Sequence, residues 1–254
     1  MSDLLGPAEG LAATTEYLGS IRSVLATGEL DAPVPQCPGW DLRRLGWHLG
    51  DVHRWVRGAV VEGHPDTVTP DGPSARPELL DWFDQGAGQL LELLAGSDPD
   101  APCWTFGPRP GTVRFWLRRQ AHEHAMHAVD AHASQSAPAG GVRIDPTVRI
   151  DPALALDGID EVATMFFPRQ VRLGRTAPLD RSLAVTATDG AGFVRTFAGD
   201  GTQPATDRPD AQVRGPAEAL YLLLWGRTGL DDGRLELVGD PEAARSVLAA
   251  ALVP

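Results

Sequence analysis

The residues best equipped for chemistry lie in RFWLRRQAHEHAMHAVDAHA, a run that mixes one glutamate with several histidines. On a helix turning 100° per residue, Glu123 and His127 fall about 40° apart and one turn removed, so a carboxylate oxygen and an imidazole nitrogen can meet at one cation. Trp116, Arg119 and Asp130 lie within about 40° of Glu123, whereas His122 and His124 point about 100° to either side. The alternative to a metal site is an ordinary ion pair, because Arg119, one turn before Glu123, can neutralise it unaided. A cation needs more donors than this helix offers.

His48, in DLRRLGWHLGDVHRW, is the natural third donor. It falls about 40° from Val52 and about 60° from Leu45, at the border of an apolar stripe. That position suits either a ligand or a hydrogen-bonded core histidine. His53 is turned about 140° from His48, so the two cannot face one ion. Two imidazoles and a carboxylate would leave coordination positions open, as catalytic and substrate-binding centres do and closed structural sites do not. Zinc is the first choice for such a set, with nickel and iron also compatible.

These residues need a scaffold that brings distant segments together. Four amphipathic stretches, about 7–28, 41–61, 76–96 and 111–133, are separated by Pro- and Gly-rich breaks and predict a helical bundle. The second opens on Asp41 as N-cap, after which Leu42, Leu45, Leu49, Val52 and Val56 recur at helical spacing. The fourth carries only a thin apolar stripe, as expected of a helix face that lines a site.

Between about 133 and 150 small residues, Gly and Pro dominate and VRIDP occurs twice, which reads as an interdomain linker whose repeat could form an edge strand. The expected domains are 1–140 and 141–254. The second reads as a helix near 152–166, a hairpin in SLAVTATDGAGFVRTFAG around an Asp-Gly turn, and a strand from Ala211 to Arg214. A helix in GPAEALYLLLWGR, a strand in RLELVGD and a last helix in PEAARSVLAAAL follow. Helices on one face of a small antiparallel sheet account for that order, giving an α+β class overall.

Composition narrows the partners. A net charge of -12 repels nucleic acid, and no basic patch offsets it. No apolar run approaches the roughly 20 residues that cross a bilayer, and the N-terminus lacks a secretory pattern. A soluble, cytoplasmic protein without membrane or nucleic-acid partners is expected, with a monomer favoured. Cys37 and Cys103 form no CxxC motif and are read as free thiols. Trp40, Trp47 and Trp55 cluster around the second helix, and at least two of them are expected to pack.

The strings CPGWDLRRLGWHLGDVHRW and RRQAHEHAMHAVDA resemble the two metal-binding segments of the DinB-like, mycothiol-dependent maleylpyruvate isomerase family. DGIDEV, RGPAEALYLLLWGR and RLELVGD resemble that family's sterol-carrier-like C-terminal domain, so the likeness spans essentially the whole chain. Carried across, the family's metal ligands fall on His48, Glu123 and His127. The resemblance implies a DinB-like four-helix bundle followed by a small α+β domain, with a divalent metal and mycothiol as cofactors. It implies thiolate addition to the cis double bond of maleylpyruvate, rotation, and elimination to the trans product. It favours Arg227 as a catalytic cation for the substrate, with Arg119 a second, substrate-binding choice. Arg227 also suits a helix C-terminus, where the dipole favours a cation and Gly226 ends the helix. Two other functions fit the same residues: a mycothiol S-transferase acting on an electrophile, and a non-catalytic module that binds an apolar ligand.

Overall fold

The computed structural model describes residues 5–64, 72–107, 109–136, 148–190, 192–202 and 208–254. Its contacts divide the chain into two compact units, Leu5–Val148 and Arg149–Pro254. The expected boundary at 140/141 and the first VRIDP copy lie outside the described residues.

The first unit holds helices α1 (Pro7–Thr27), α2 (Leu42–Val61), α3 (Arg76–Gly96) and α4 (Val113–Ser136). The Asp41 carboxylate accepts from the Arg44 amide at 2.8 Å and starts α2, as its position before the apolar repeat predicts. Leu42, Leu45, Leu49 and Val56 are fully buried. Helix α1 packs on α3 and α4, and α2 packs on the same two, which closes a four-helix bundle. Trp55, Trp104, Trp116, Phe106 and Phe115 form an edge-to-face cluster at one end of the core.

Helix α4 departs from its expected form. It runs three residues further than the sequence pattern suggests, and it is buried on nearly every side rather than along a stripe. The reason is side-chain size: Ala121, Ala125, Ala128 and Ala131 are fully buried, and their small side chains let neighbouring helices close around it. The approach of α1 is equally tight. A Cβ on Gly10 would lie 2.7 Å from the Leu117 carbonyl oxygen of α4, where backbone cannot yield. Gly10→Ala is therefore expected to lower stability by about 1–3 kcal/mol, read as a fall in the denaturation midpoint, despite alanine's better helix propensity.

In the second unit, α5 (Pro152–Glu161) continues through a π-helical turn, Val162–Phe166, into α6 (Phe167–Arg172), so the helical stretch outruns the expected 152–166. The second VRIDP copy is not an edge strand. Asp151 caps α5 by accepting from the Ala153 amide, and Pro152 sits at its first turn.

Strands β1 (Leu179–Ala187) and β2 (Val194–Gly199) form the expected antiparallel hairpin, and β3 (Ala211–Gly215) and β4 (Glu236–Gly239) pair antiparallel. The sheet has the order β2-β1-β3-β4, and β1 and β3 run parallel, so it is mixed rather than antiparallel. Asp210 explains the direction: its carboxylate accepts from the amide and hydroxyl of Ser182, which holds the entry to β3 beside the entry to β1. Helices α7 (Ala217–Leu224) and α8 (Pro241–Leu248) pack on β1 and β3, so the α+β expectation holds. Among the described residues no helix is long and apolar enough to cross a membrane.

Candidate metal centre

Helices α2 and α4 bring together the three donors that the sequence reading joined. Glu123 Oε1 lies 3.0 Å from His48 Nε2 and 3.4 Å from His127 Nε2. One donor atom from each of the three residues lies within 4.8 Å of the others. The His48 and His127 rings stand edge to face with centroids 5.0 Å apart, so their nitrogens converge from different directions on the carboxylate.

The second carboxylate oxygen is held separately. Arg119 Nη2 donates to Glu123 Oε2 at 2.8 Å, and the Arg119 side chain is only 5% exposed. The ion pair weighed against a metal and the donor cluster thus coexist, each on its own oxygen of Glu123. Burial opposes a charged carboxylate, but hydrogen bonds from His127 and His48 and the nearby charges of His127 and Arg119 outweigh it. Glu123 consequently titrates well below the usual carboxylate range.

Sequence reasoning put Asp130 on the same face as Glu123 but gave it no role. Its Oδ2 accepts from His127 Nδ1 at 2.9 Å and from the Cys37 thiol at 3.6 Å, and the residue is fully buried. Burial again opposes the charged imidazole, yet the hydrogen bonds to Asp130 and Glu123 push His127 up to about 9. The charged ring donates from Nδ1 to Asp130 and turns Nε2 toward Glu123; with the Nδ1 proton committed to Asp130, it is Nε2 that becomes bare when His127 loses a proton. The Cys37 thiol thus shares the Asp130 carboxylate with His127. The spacing of Asp130, one turn beyond His127 on the ligand face, was the signal available for it.

Trp40 is more than packing. Its ring lies 4.9 Å from that of His48 and stacks 6.3 Å from that of His127, covering both imidazoles. Trp47 donates to the Pro73 carbonyl, and Trp55 belongs to the aromatic core.

The histidines that rotation excluded from the ion meet each other instead. His53 Nε2 and His124 Nε2 lie 3.0 Å apart with both rings buried. Burial holds both neutral, pushing His124 down to about 4 and His53 well below its ordinary value. His122 is also fully buried.

Arg227 belongs to the second unit and sits in a Schellman turn that ends α7. Gly226 has φ +69°, its amide bonds to Leu223 O, and the Arg227 amide bonds to Leu222 O. The guanidinium donates to Trp225 O at 2.6 Å and lies over the indole at 5.9 Å. The same unit has an open cavity of about 640 Å³ whose walls include Leu223, Leu230, Leu237, Leu248 and Arg245.

The chemistry of the donor set fits a divalent cation: two imidazole nitrogens and a carboxylate oxygen, one imidazole oriented by a buried acid. Comparison with known proteins agrees with the fold. The chain matches the family model described as the mycothiol maleylpyruvate isomerase N-terminal domain over residues 11–132, and the corresponding C-terminal domain over residues 153–246. It is similar to two crystal structures, of a mycothiol-dependent maleylpyruvate isomerase (15% identity, TM-score 0.58) and of a histidine-to-alanine mutant of such an isomerase (13%, 0.60). Each alignment covers 93% of this chain and 95% of the other. No curated protein matches it by sequence. With both of its halves matched by the two domains of one family, the chain belongs to the mycothiol-dependent maleylpyruvate isomerase family.

Proposed function

We propose that this protein is a metal-dependent, mycothiol-using isomerase of maleylpyruvate or a related cis-dicarboxylate. The observation that carries the reading is the convergence of His48, Glu123 and His127 within 4.8 Å in a chain of this family. The three residues hold a divalent cation, zinc before nickel or iron. When bound, the cation lowers the pKa of a thiol ligand and so makes thiolate available near neutral pH. Asp130 fixes the His127 tautomer, Arg119 restrains Glu123 through its other oxygen, and Trp40 packs against both imidazole rings. Arg227 is proposed, from the family resemblance, as the cation that meets a substrate carboxylate.

The test is metal content and turnover of the full chain, with His48→Ala and Arg227→Ala beside wild type. Wild type is expected to retain about one zinc after dialysis and to isomerise maleylpyruvate only with mycothiol. His48→Ala should lose both metal and turnover, and Arg227→Ala only turnover. Metal retained in His48→Ala would reject the centre. Metal-loaded wild type that conjugates mycothiol to electrophiles but leaves maleylpyruvate unchanged would mark a transferase. Protein purified with lipid and no metal would mark an apolar-ligand module.

A further inference from the structure

The His53–His124 pair lies outside the donor set, yet it joins the same two helices: His53 follows His48 on α2 by little more than a turn, and His124 is the neighbour of Glu123 on α4. The tautomers follow by elimination. His124 Nδ1 lies 2.7 Å from the Gln120 carbonyl oxygen, which can only accept, so that nitrogen carries hydrogen. In a neutral ring Nε2 is then bare, and His53 Nε2 must donate to it across 3.0 Å. His53 Nδ1 is left as a buried lone pair with no hydrogen-bond partner among the described residues. The His53 ring also packs edge to face against Phe83 of α3, with centroids 5.3 Å apart.

As packing alone this arrangement is poor. Two leucines would fill comparable space without a buried, unsatisfied acceptor. What the imidazoles add is direction. Apolar contact tolerates sliding and rotation, whereas a hydrogen bond between ring nitrogens sets both the distance and the rotation of α2 against α4. The same two helices must bring His48 Nε2 to Glu123 Oε1. That ligand-to-ligand hydrogen bond would be given up if His48 Nε2 shed its proton and offered a lone pair to a cation, whereas the His53–His124 contact involves none of the three donors.

We propose that His53 and His124 are positioning residues, a directional link between α2 and α4 that holds the metal donors in register before and after the cation binds. The inference rests on the metal reading above and adds residues that never touch the ion.

The experiment measures Zn²⁺ affinity of the full chain by competition with a chromogenic chelator. It compares wild type, the double variant His53→Leu/His124→Leu, and His124→Gln, whose side-chain oxygen can still accept from His53. The double variant is expected to bind Zn²⁺ about tenfold or more weakly while its metal-free melting temperature stays level or rises; His124→Gln stays within about threefold of wild type. A purely structural pair would lower the melting temperature and leave Zn²⁺ affinity unchanged. Affinity of the folded double variant within twofold of wild type overturns the inference and leaves the metal centre standing; a wild type that takes up no Zn²⁺ overturns the metal reading itself. Should the double variant not fold, imidazole NMR of wild type decides. The exchange-protected N–H protons on His53 Nε2 and His124 Nδ1 should persist through Zn²⁺ titration, and their loss refutes the link.

Discussion

Glu123→Ala is expected to weaken Zn²⁺ binding by more than about a hundredfold, beyond what loss of an outer-shell partner costs. Glu123 is the hub of the cluster, since one oxygen faces both imidazoles and the other holds Arg119. Its removal takes away a proposed ligand and also the carboxylate that Arg119, 5% exposed at its side chain, leans on. The variant should therefore lose stability even without metal, by about 1–3 kcal/mol. Glu123→Gln separates the two effects. It preserves the shape and one acceptor for Arg119, so it should bind metal poorly yet melt closer to wild type than the alanine variant does. Chelator competition and thermal melts of metal-free protein check both, and equal melting of the two variants would contradict the role given to Arg119.

The second large effect is on pH. In metal-free protein His127 holds its proton up to about 9, so a cation must displace it. Zn²⁺ affinity should strengthen by about tenfold per pH unit from roughly 6.5 to 9 and then level off. Stability of the metal-free protein moves the other way over that range. A histidine whose folded pKa is raised contributes stability that is complete below its unfolded value of about 6.5 and lost as pH climbs through 9. On the acid side His53 and His124 act with opposite sign: the unfolded chain protonates them near 6.5, the folded chain resists until about 4 for His124, and stability falls across that window. Glu123, held below the usual carboxylate range, adds a further loss once pH drops past about 4.5. Metal-free melting temperature should therefore peak near 6.5. A monotonic profile from pH 4.5 to 9.5 would contradict this assignment of charges.

Much of the bundle was legible because its signals are local. The N-cap at Asp41, the recurrence of Leu42, Leu45 and Leu49, and the breaks before α3 and α4 each need only one stretch of chain. Within α4 the rotation of one helix selected His127 over His122 and His124, whereas His48 was joined to them by the family resemblance, its position alone fitting a core histidine as well. Rotation on a single helix cannot tell which faces of two helices meet, and so the His53–His124 contact was invisible although each member had been turned away from the ion. Asp130 illustrates a softer failure. Its face was known, but its bond to His127 depends on a rotamer that spacing does not specify. In the second unit, alternation identified strands without their direction, which Asp210 and Ser182 set through hydrogen bonds across distant sequence.

The enclosure of α4 bears on how this protein can change. A helix with one wet face can absorb substitutions there and drift, but α4 keeps almost no such face: Arg119, Gln120, His122, His124 and Asp130 are as buried as its alanines. A saturation library should find α4 intolerant along nearly its whole length, while the exposed positions of α1 and α8 accept most replacements. New substrate preferences in proteins built this way would then be acquired on the loops and neighbouring helices, around a central rod that stays as it is.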